Sequence, residues 1–324
     1  MRMLPKRCAD AAQYSIKEEI VMKKIVSLVL ALMLCLAMLA PAMAEDFTIV
    51  VNLKTLSSEY WQTVKSGIDK AAEELGITID VQGPPAESDI QGQVNQIETQ
   101  LAGAPDAIII APDDNDAVVG VLESTGYQGI VVFCDTTNTF ENQTSFVGTS
   151  NDEAAYGGGQ YGVGLNGADT KALIIYGQEG DNTSNLRKSG YEKALEEAGV
   201  EPVAEMSGNN NTADSKNVME AQLIANEDIN LVLCHNDDSA LGAIEAIKEA
   251  GKEGIAVIGF DGNTSALESI AAGEMKATIA QQPAEMGYLS VMTAVAALKG
   301  EEVDKVVSVP TVVIDAENVG DYLK

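Results

Sequence analysis

Among its 324 residues the chain has one histidine, one tryptophan, four cysteines and 5% aromatics, with 20 basic residues against 49 acidic ones. A single imidazole, His235, argues against zinc chemistry and against a Ser-His-Asp hydrolase, and the glycines of a nucleophile elbow are missing as well. The scarcity of Lys and Arg makes phosphate backbones and anionic lipid surfaces poor partners, so no nucleic acid is expected to bind. Spaced acids ending in Glu, as a calcium loop requires, are not supplied by Asn209–Asp214, so no metal is expected. No cofactor motif stands in its required context either. Gly157-Gly158-Gly159-Gln160-Tyr161-Gly162 spells a dinucleotide fingerprint, but Asn151-Asp152-Glu153 starts a helix ahead of the glycines, so they read as small residues for close helix packing.

What is present begins at the N-terminus. Met22-Lys23-Lys24 is a short positive segment, Ile25–Leu39 is apolar and uncharged, and Ala42-Met43-Ala44 has the small-x-small pattern of a cleavage site. The run stops at Pro41, short of the ~20 residues a membrane span needs. Residues 1–44 are therefore expected to be a leader and signal peptide, cut after Ala44, with Met22 the natural start. Met33 and Leu34 precede Cys35 where lipid attachment wants small residues. This leader carries six basic and three acidic residues, and its loss takes the net charge from −29 to −32. Cys8 and Cys35 leave with it. Cys134 and Cys234 stay, at the ends of separate apolar strand runs where a bridge is not expected, and a chain of this size does not depend on one.

The remainder alternates short β-branched runs with amphipathic helical stretches. Strands are expected at Phe47–Val51, Ile77–Val81, Ala107–Ile110, Ile130–Phe133, Ala172–Ile175, Pro202–Glu205, Leu231–Leu233 and Ala256–Ile258. Helical patterns cover Tyr60–Leu75, Ile90–Leu101, Thr183–Ala198 and Ser239–Ala250. That alternation predicts an α/β fold with parallel sheets covered on both faces. The chain also repeats itself: Lys65-Ser66-Gly67-Ile68-Asp69-Lys70-Ala71-Ala72-Glu73-Glu74-Leu75-Gly76 returns as Lys188-Ser189-Gly190-Tyr191-Glu192-Lys193-Ala194-Leu195-Glu196-Glu197-Ala198-Gly199. Eight of the twelve positions are identical at an offset of 123 residues. Later in each half, Pro112-Asp113-Asp114-Asn115-Asp116-Ala117 and Asn236-Asp237-Asp238-Ser239-Ala240 correspond, and the fourth strands end in Asp135 and Asp261. Two similar Rossmann-like lobes with a cleft between them follow. Ligands of open parallel sheets sit beyond the carboxyl ends of the strands, which turns both aspartates towards that cleft.

With His235-Asn236-Asp237-Asp238-Ser239-Ala240-Leu241-Gly242-Ala243, Ile258-Gly259-Phe260-Asp261-Gly262 and Ala277-Thr278-Ile279-Ala280-Gln281-Gln282-Pro283 in this order behind a leader, the chain resembles the ribose-type periplasmic sugar-binding proteins. The likeness runs from Glu45 to Lys324. It implies a type I periplasmic binding protein with a three-stranded hinge, an N-terminal lobe of residues 45–150 and 282–309 and a C-terminal lobe of 151–281 and 310–324. It also implies a non-enzymatic monomer that closes around a small sugar or polyol and hands it to the permease of an ABC importer. A chemoreceptor or sensor kinase reading the closed form is the alternative. A DNA-binding repressor of the same fold is excluded by the leader and by the charge.

By the same resemblance Tyr60 and Trp61 are the aromatic pair against the sugar ring, Asp135 accepts from its hydroxyls, Arg187 donates to its oxygens, and Asn236, Asp261 and Gln281 complete the pocket. Such a set suits a sugar, whose hydroxyls both donate and accept, because carboxylates only accept and a guanidinium only donates. Bland alternatives exist for several of them. Trp61 could be core, the aspartates could cap turns, and Arg187 could pair with surface acids. Asp237 is expected to cap the helix from Ser239, leaving Asn236 for the ligand and His235 as packing. The sequence departs from the family at Ser57-Ser58-Glu59, where Asn-Pro is common, and at Lys54, where a small hydroxyl residue is common near the cleft mouth; Ser58 and Lys54 join the candidate contacts. Asn209-Asn210-Asn211 replaces the aromatic wall of the C-terminal lobe. Ribose is therefore no better supported than a hexose, a polyol or a sugar-like signal.

Overall fold

The structure, a computed structural model, describes residues 47–323. The expected leader and its cleavage after Ala44 lie outside the described residues. The first half runs β1 (Ile49–Asn52), α1 (Glu59–Leu75), β2 (Ile79–Gln82), α2 (Ile90–Ala102), β3 (Ala107–Ile110), α3 (Asn115–Thr125), β4 (Ile130–Cys134) and β5 (Ser145–Gly148). The second half repeats the order: α4 (Asn151–Asn166), β6 (Ala172–Tyr176), α5 (Asn182–Glu197), β7 (Ala204–Ser207), α6 (Thr212–Ala225), β8 (Leu231–Cys234), α7 (Asp237–Glu249), β9 (Ala256–Asp261), α8 (Thr264–Ala271) and β10 (Ala277–Ala280). The chain then closes with α9 (Pro283–Leu298), β11 (Val306–Ser308) and β12 (Val312–Asp315).

Two six-stranded sheets result, ordered β11-β5-β4-β3-β1-β2 and β12-β10-β9-β8-β6-β7. Every pairing is parallel except β10 with β12. The inner strands β1, β3, β8 and β9 are buried at every residue, as strands covered on both faces must be, whereas the edges β2, β7, β11 and β12 are partly open. Each sheet accordingly carries two separate apolar cores, one per face. The chain passes between the sheets three times: after β5, between β10 and α9, and between β11 and β12.

The repeated segment plays the same packing role in both halves. Gly67 on α1 and Gly190 on α5 are equivalent in the repeat, and each lies where another helix crosses. A Cβ on Gly67 would overlap the Ala284 carbonyl of α9, and one on Gly190 would overlap the Asp152 carbonyl of α4. The glycines of the apparent dinucleotide motif lie inside α4, with Gly158 against Ile279, Gly159 against Ala194 and Gly162 against Leu231. Their small size admits those side chains. The strands β5, β10, β11 and β12 were not expected from the sequence, because each is three or four residues long and has no alternation strong enough to mark it. Cys134 and Cys234 end β4 and β8, in different sheets, and both are buried and free.

Candidate functional site

The carboxyl ends of both sheets face one shared cleft. It is lined from the first sheet's side by Lys54, Ser58, Tyr60, Trp61, Glu87 and Asp135, and from the second's by Thr183, Arg187, His235, Asn236, Asp238 and Asp261. Eight of the nine candidates thus meet at one place. Gln281, the ninth, lies behind the space. Its Nε2 donates to Asp261 Oδ1 at 2.8 Å and its Oε1 accepts from Thr149 Oγ1 at 2.9 Å, so it ties the aspartate to the first passage between the sheets.

Helix α1 begins at the edge of this space because Ser58, in extended conformation, caps it with an acceptor for the Trp61 amide. Its first turn then points two rings inward, Tyr60 and Trp61, edge to face with centroids 5.1 Å apart. Their polar tips are fixed: Tyr60 Oη donates to Asp135 Oδ1 at 2.5 Å, and Trp61 Nε1 donates to Glu87 Oε1 at 2.7 Å. Burial and the Asp135 charge hold the Tyr60 hydroxyl protonated, its pKa well above the ordinary value. Trp61 is at once core and wall, which reconciles the two sequence readings.

Asp135 and Asp261 follow the same logic at the two strand ends. Both have positive φ, 65° and 122°, a region that side chains other than glycine rarely adopt and that aspartate tolerates better than most. The strain places each carboxylate on the cavity wall. Arg187, on the first turns of α5, is 3% exposed, and its guanidinium lies 3.6 Å from the Phe260 ring centre. Nε donates to Asn151 Oδ1 and Nη1 to the His235 carbonyl, both at 2.8 Å, with Asp261 Oδ1 3.5 Å from Nη1. Burial pushes the Asp261 pKa well above the carboxylate range against the opposing pull of Arg187. A surface pairing for Arg187 is ruled out by this geometry.

Two expectations need correction. Lys54 is not at the mouth: it is 3% exposed, and Nζ pairs with Asp181 Oδ2 at 2.7 Å across the cleft. Asp181 uses its other oxygen to cap α5 through the Thr183 amide. Asn236, not Asp237, caps α7, accepting from the Ser239 amide at 2.9 Å while its Nδ2 donates to the Asn210 carbonyl. Asp237 is inside the helix and holds the Gly262 and Asn263 amides and the Thr278 hydroxyl, because β9 ends directly beside it. Asn236 still lines the cavity, with its amide already committed.

Sequence reasoning missed Glu87, Thr183, His235 and Asp238. Glu87 follows β2 in an irregular loop without periodicity, yet the repeat held a signal for it. Asn210, after the equivalent strand β7, donates from Nδ2 to Glu87 Oε2 at 2.7 Å, so corresponding loops of the two halves meet across the cleft. The imidazole of His235 is kept neutral by burial and by the charges of Arg187 and Lys54, and its Nδ1 has no partner.

Behind Glu87 lies Asp113, 1% exposed, with neither carboxylate oxygen hydrogen-bonded. Burial and the Glu87 charge push its pKa from 3.8 up to about 10. A raised acid contributes stability that is complete below its unfolded pKa and is lost as pH rises through the folded one. Wild-type stability should therefore fall between about pH 4 and 10 from this group. Asp113→Asn should flatten that slope and raise Tm at pH 9, by roughly 2–4 °C for each kcal/mol recovered. Melting curves at pH 5 and 9 check it; equal slopes would mean that the carboxylate is charged and solvated.

Comparison with known proteins agrees with the geometry. A periplasmic binding protein domain matches residues 49–302. The ribose import binding protein of Bacillus subtilis is 32% identical over 302 residues, covering 89% of this chain and 98% of that one. Among solved structures, a periplasmic solute-binding protein of an ABC transporter from Actinobacillus succinogenes, with bound D-allose, matches at 29% identity and TM-score 0.77, covering 85% of this chain and 99% of its own. A carbohydrate transporter solute-binding protein from Agrobacterium radiobacter, in complex with D-arabinose, gives 26% and 0.81, covering 86% and 97%. Two duplicated parallel sheets around one shared polar cleft, matched over this length, show that the chain belongs to the periplasmic binding protein family.

Proposed function

We propose that this protein is an extracytoplasmic receptor that closes around a monosaccharide-like or polyol ligand and delivers it to the permease of an ABC importer. One observation carries the reading: carboxyl groups from both sheets (Asp135 and Asp261) and a fixed donor (Arg187) converge with the Tyr60–Trp61 wall on a single shared cleft. Hydroxyl-rich solutes need both kinds of group, and hydrogen bonds to charged partners contribute about 1.5–3 kcal/mol each. Sugar C–H faces pack on aromatic rings. The bound D-allose and D-arabinose of the structural relatives support the ligand class.

The three passages between the sheets support a hinge, with lobes of residues 45–150 plus 282–309 and 151–281 plus 310–324. Closure about it removes water from the space and brings the two lobe rims together as one surface that a permease reads. Export by a signal peptide cut after Ala44, and action as a monomer, complete the proposal.

Asp261→Ala should abolish calorimetric binding of the ligand found by screening pentoses, hexoses, inositols and polyols. Wild-type Trp61 fluorescence should change on adding the same ligand. An affinity near micromolar corresponds to about −8 kcal/mol. Unchanged affinity in the variant would remove Asp261 from the pocket, and silence of Trp61 across the whole panel would overturn the receptor reading.

A further inference from the structure

The space has an imbalance of charge. Its lining contains four acids, Glu87, Asp135, Asp238 and Asp261, and two bases, Lys54 and Arg187. Both bases are already engaged within the protein, Lys54 with Asp181 at 2.7 Å and Arg187 facing Asp261 at 3.5 Å. Among the described residues no Lys or Arg lies within 4.0 Å of the carboxylates of Glu87, Asp135 or Asp238. Glu87 and Asp135 are served by neutral donors: Trp61 and Asn210 for the first, Tyr60 and Thr136 for the second.

An unpartnered group lines the same space. His235 is 4% exposed, its Nδ1 has no hydrogen bond, and its imidazole is neutral, so it adds a polar atom but no positive charge. A neutral polyol brings only hydroxyl dipoles into this wall. Uncompensated carboxylates are costly to enclose, whereas an ammonium brings both the missing charge and three donors.

We propose that the ligand of this space is an aminated sugar or polyol whose protonated amine lies at the outer end, between Glu87 and Asp238. The inference rests on the receptor reading and names the class of solute it takes. The outer end follows from a second cavity. Ser58, Glu87 and Asp238 also line an open trough whose other walls include Ser57, Ser88 and Asn209, with no Lys or Arg in its lining. An amine placed there is removed from Lys54 and Arg187, which face only the inner space. Glu59, on the trough wall, adds a further acid.

The test is calorimetry on the full secreted protein at pH 7 with matched pairs: D-galactose and D-galactosamine, D-glucose and D-glucosamine, myo-inositol and its monoamino counterpart. At least one amine should bind tenfold or more tighter than its neutral parent, and its N-acetyl derivative should lose that advantage. Asp238→Asn should shrink the amine-to-neutral affinity ratio about tenfold, with circular dichroism confirming the fold. A neutral parent that binds as tightly as its amine would overturn the inference while leaving the receptor reading in place. An unchanged ratio in Asp238→Asn would overturn the placement, and silence towards every pair would overturn both readings.

Discussion

Arg187→Met should abolish ligand binding and lower stability by about 3–5 kcal/mol, the range for deleting one partner of a buried ion pair. The guanidinium is the only cation within 4.0 Å of Asp261 among the described residues, and it also closes two hydrogen bonds, to Asn151 and to the His235 carbonyl. Methionine would keep the packing on Phe260 but strip all three interactions. Asp261, whose pKa burial already raises, would lose the charge that pulls it back down. The loss should then be smallest at low pH and grow as pH rises, since an acid with a raised folded pKa loses its contribution on that side. Urea titrations at pH 5 and 8 measure the difference. A variant as stable as the wild type at both would show that Arg187 is packing alone.

The second large effect is expected at Lys54. Its pair with Asp181 joins the segment after β1 to the first turn of α5, with side-chain exposures of 4% and 1%. Glu87–Asn210 at 2.7 Å, Thr136–Thr183 at 3.0 Å and the Thr264 amide donating to Glu59 at 2.8 Å span the same cleft. Lys54→Met would leave Asp181 buried beside Glu87 and Asp113 without its cation. Breaking such a pair costs about 3–5 kcal/mol if the carboxylate stays enclosed. Opening the cleft hydrates Asp181 instead, and costs cross-cleft hydrogen bonds such as these three, each with a net worth of about 1 kcal/mol. The variant should therefore open more readily than it unfolds. X-ray scattering of the ligand-free variant should show a larger radius of gyration than wild type, and ligand affinity should fall by tenfold or more. Equal radii with a large loss of stability would place the effect on folding rather than on closure.

Much of this was legible without coordinates because it is written in local chemistry. Alternating apolar runs specify buried parallel strands, and eight of the twelve strands were marked by them. The Lys65–Gly76 and Lys188–Gly199 repeat announced two similar halves, and Gly67 and Gly190 mark the same helix crossing in each. Strand-end aspartates followed from the rule that ligands of parallel sheets lie beyond the carboxyl ends.

What the sequence determined, then, is the pair of sheets and which strand ends face the gap. Periodicity and duplication are properties of neighbouring residues, so they survive in one dimension. Only the tertiary structure decided who pairs with whom across that gap: Lys54 with Asp181, Glu87 with Asn210 and Trp61, and Asn236 rather than Asp237 as the cap of α7. Lys54 and Asp181 are 127 residues apart, and no spacing links them. Electrostatics and hydrogen bonding act through space, so the charge balance of the cavity emerges only when both halves are folded together.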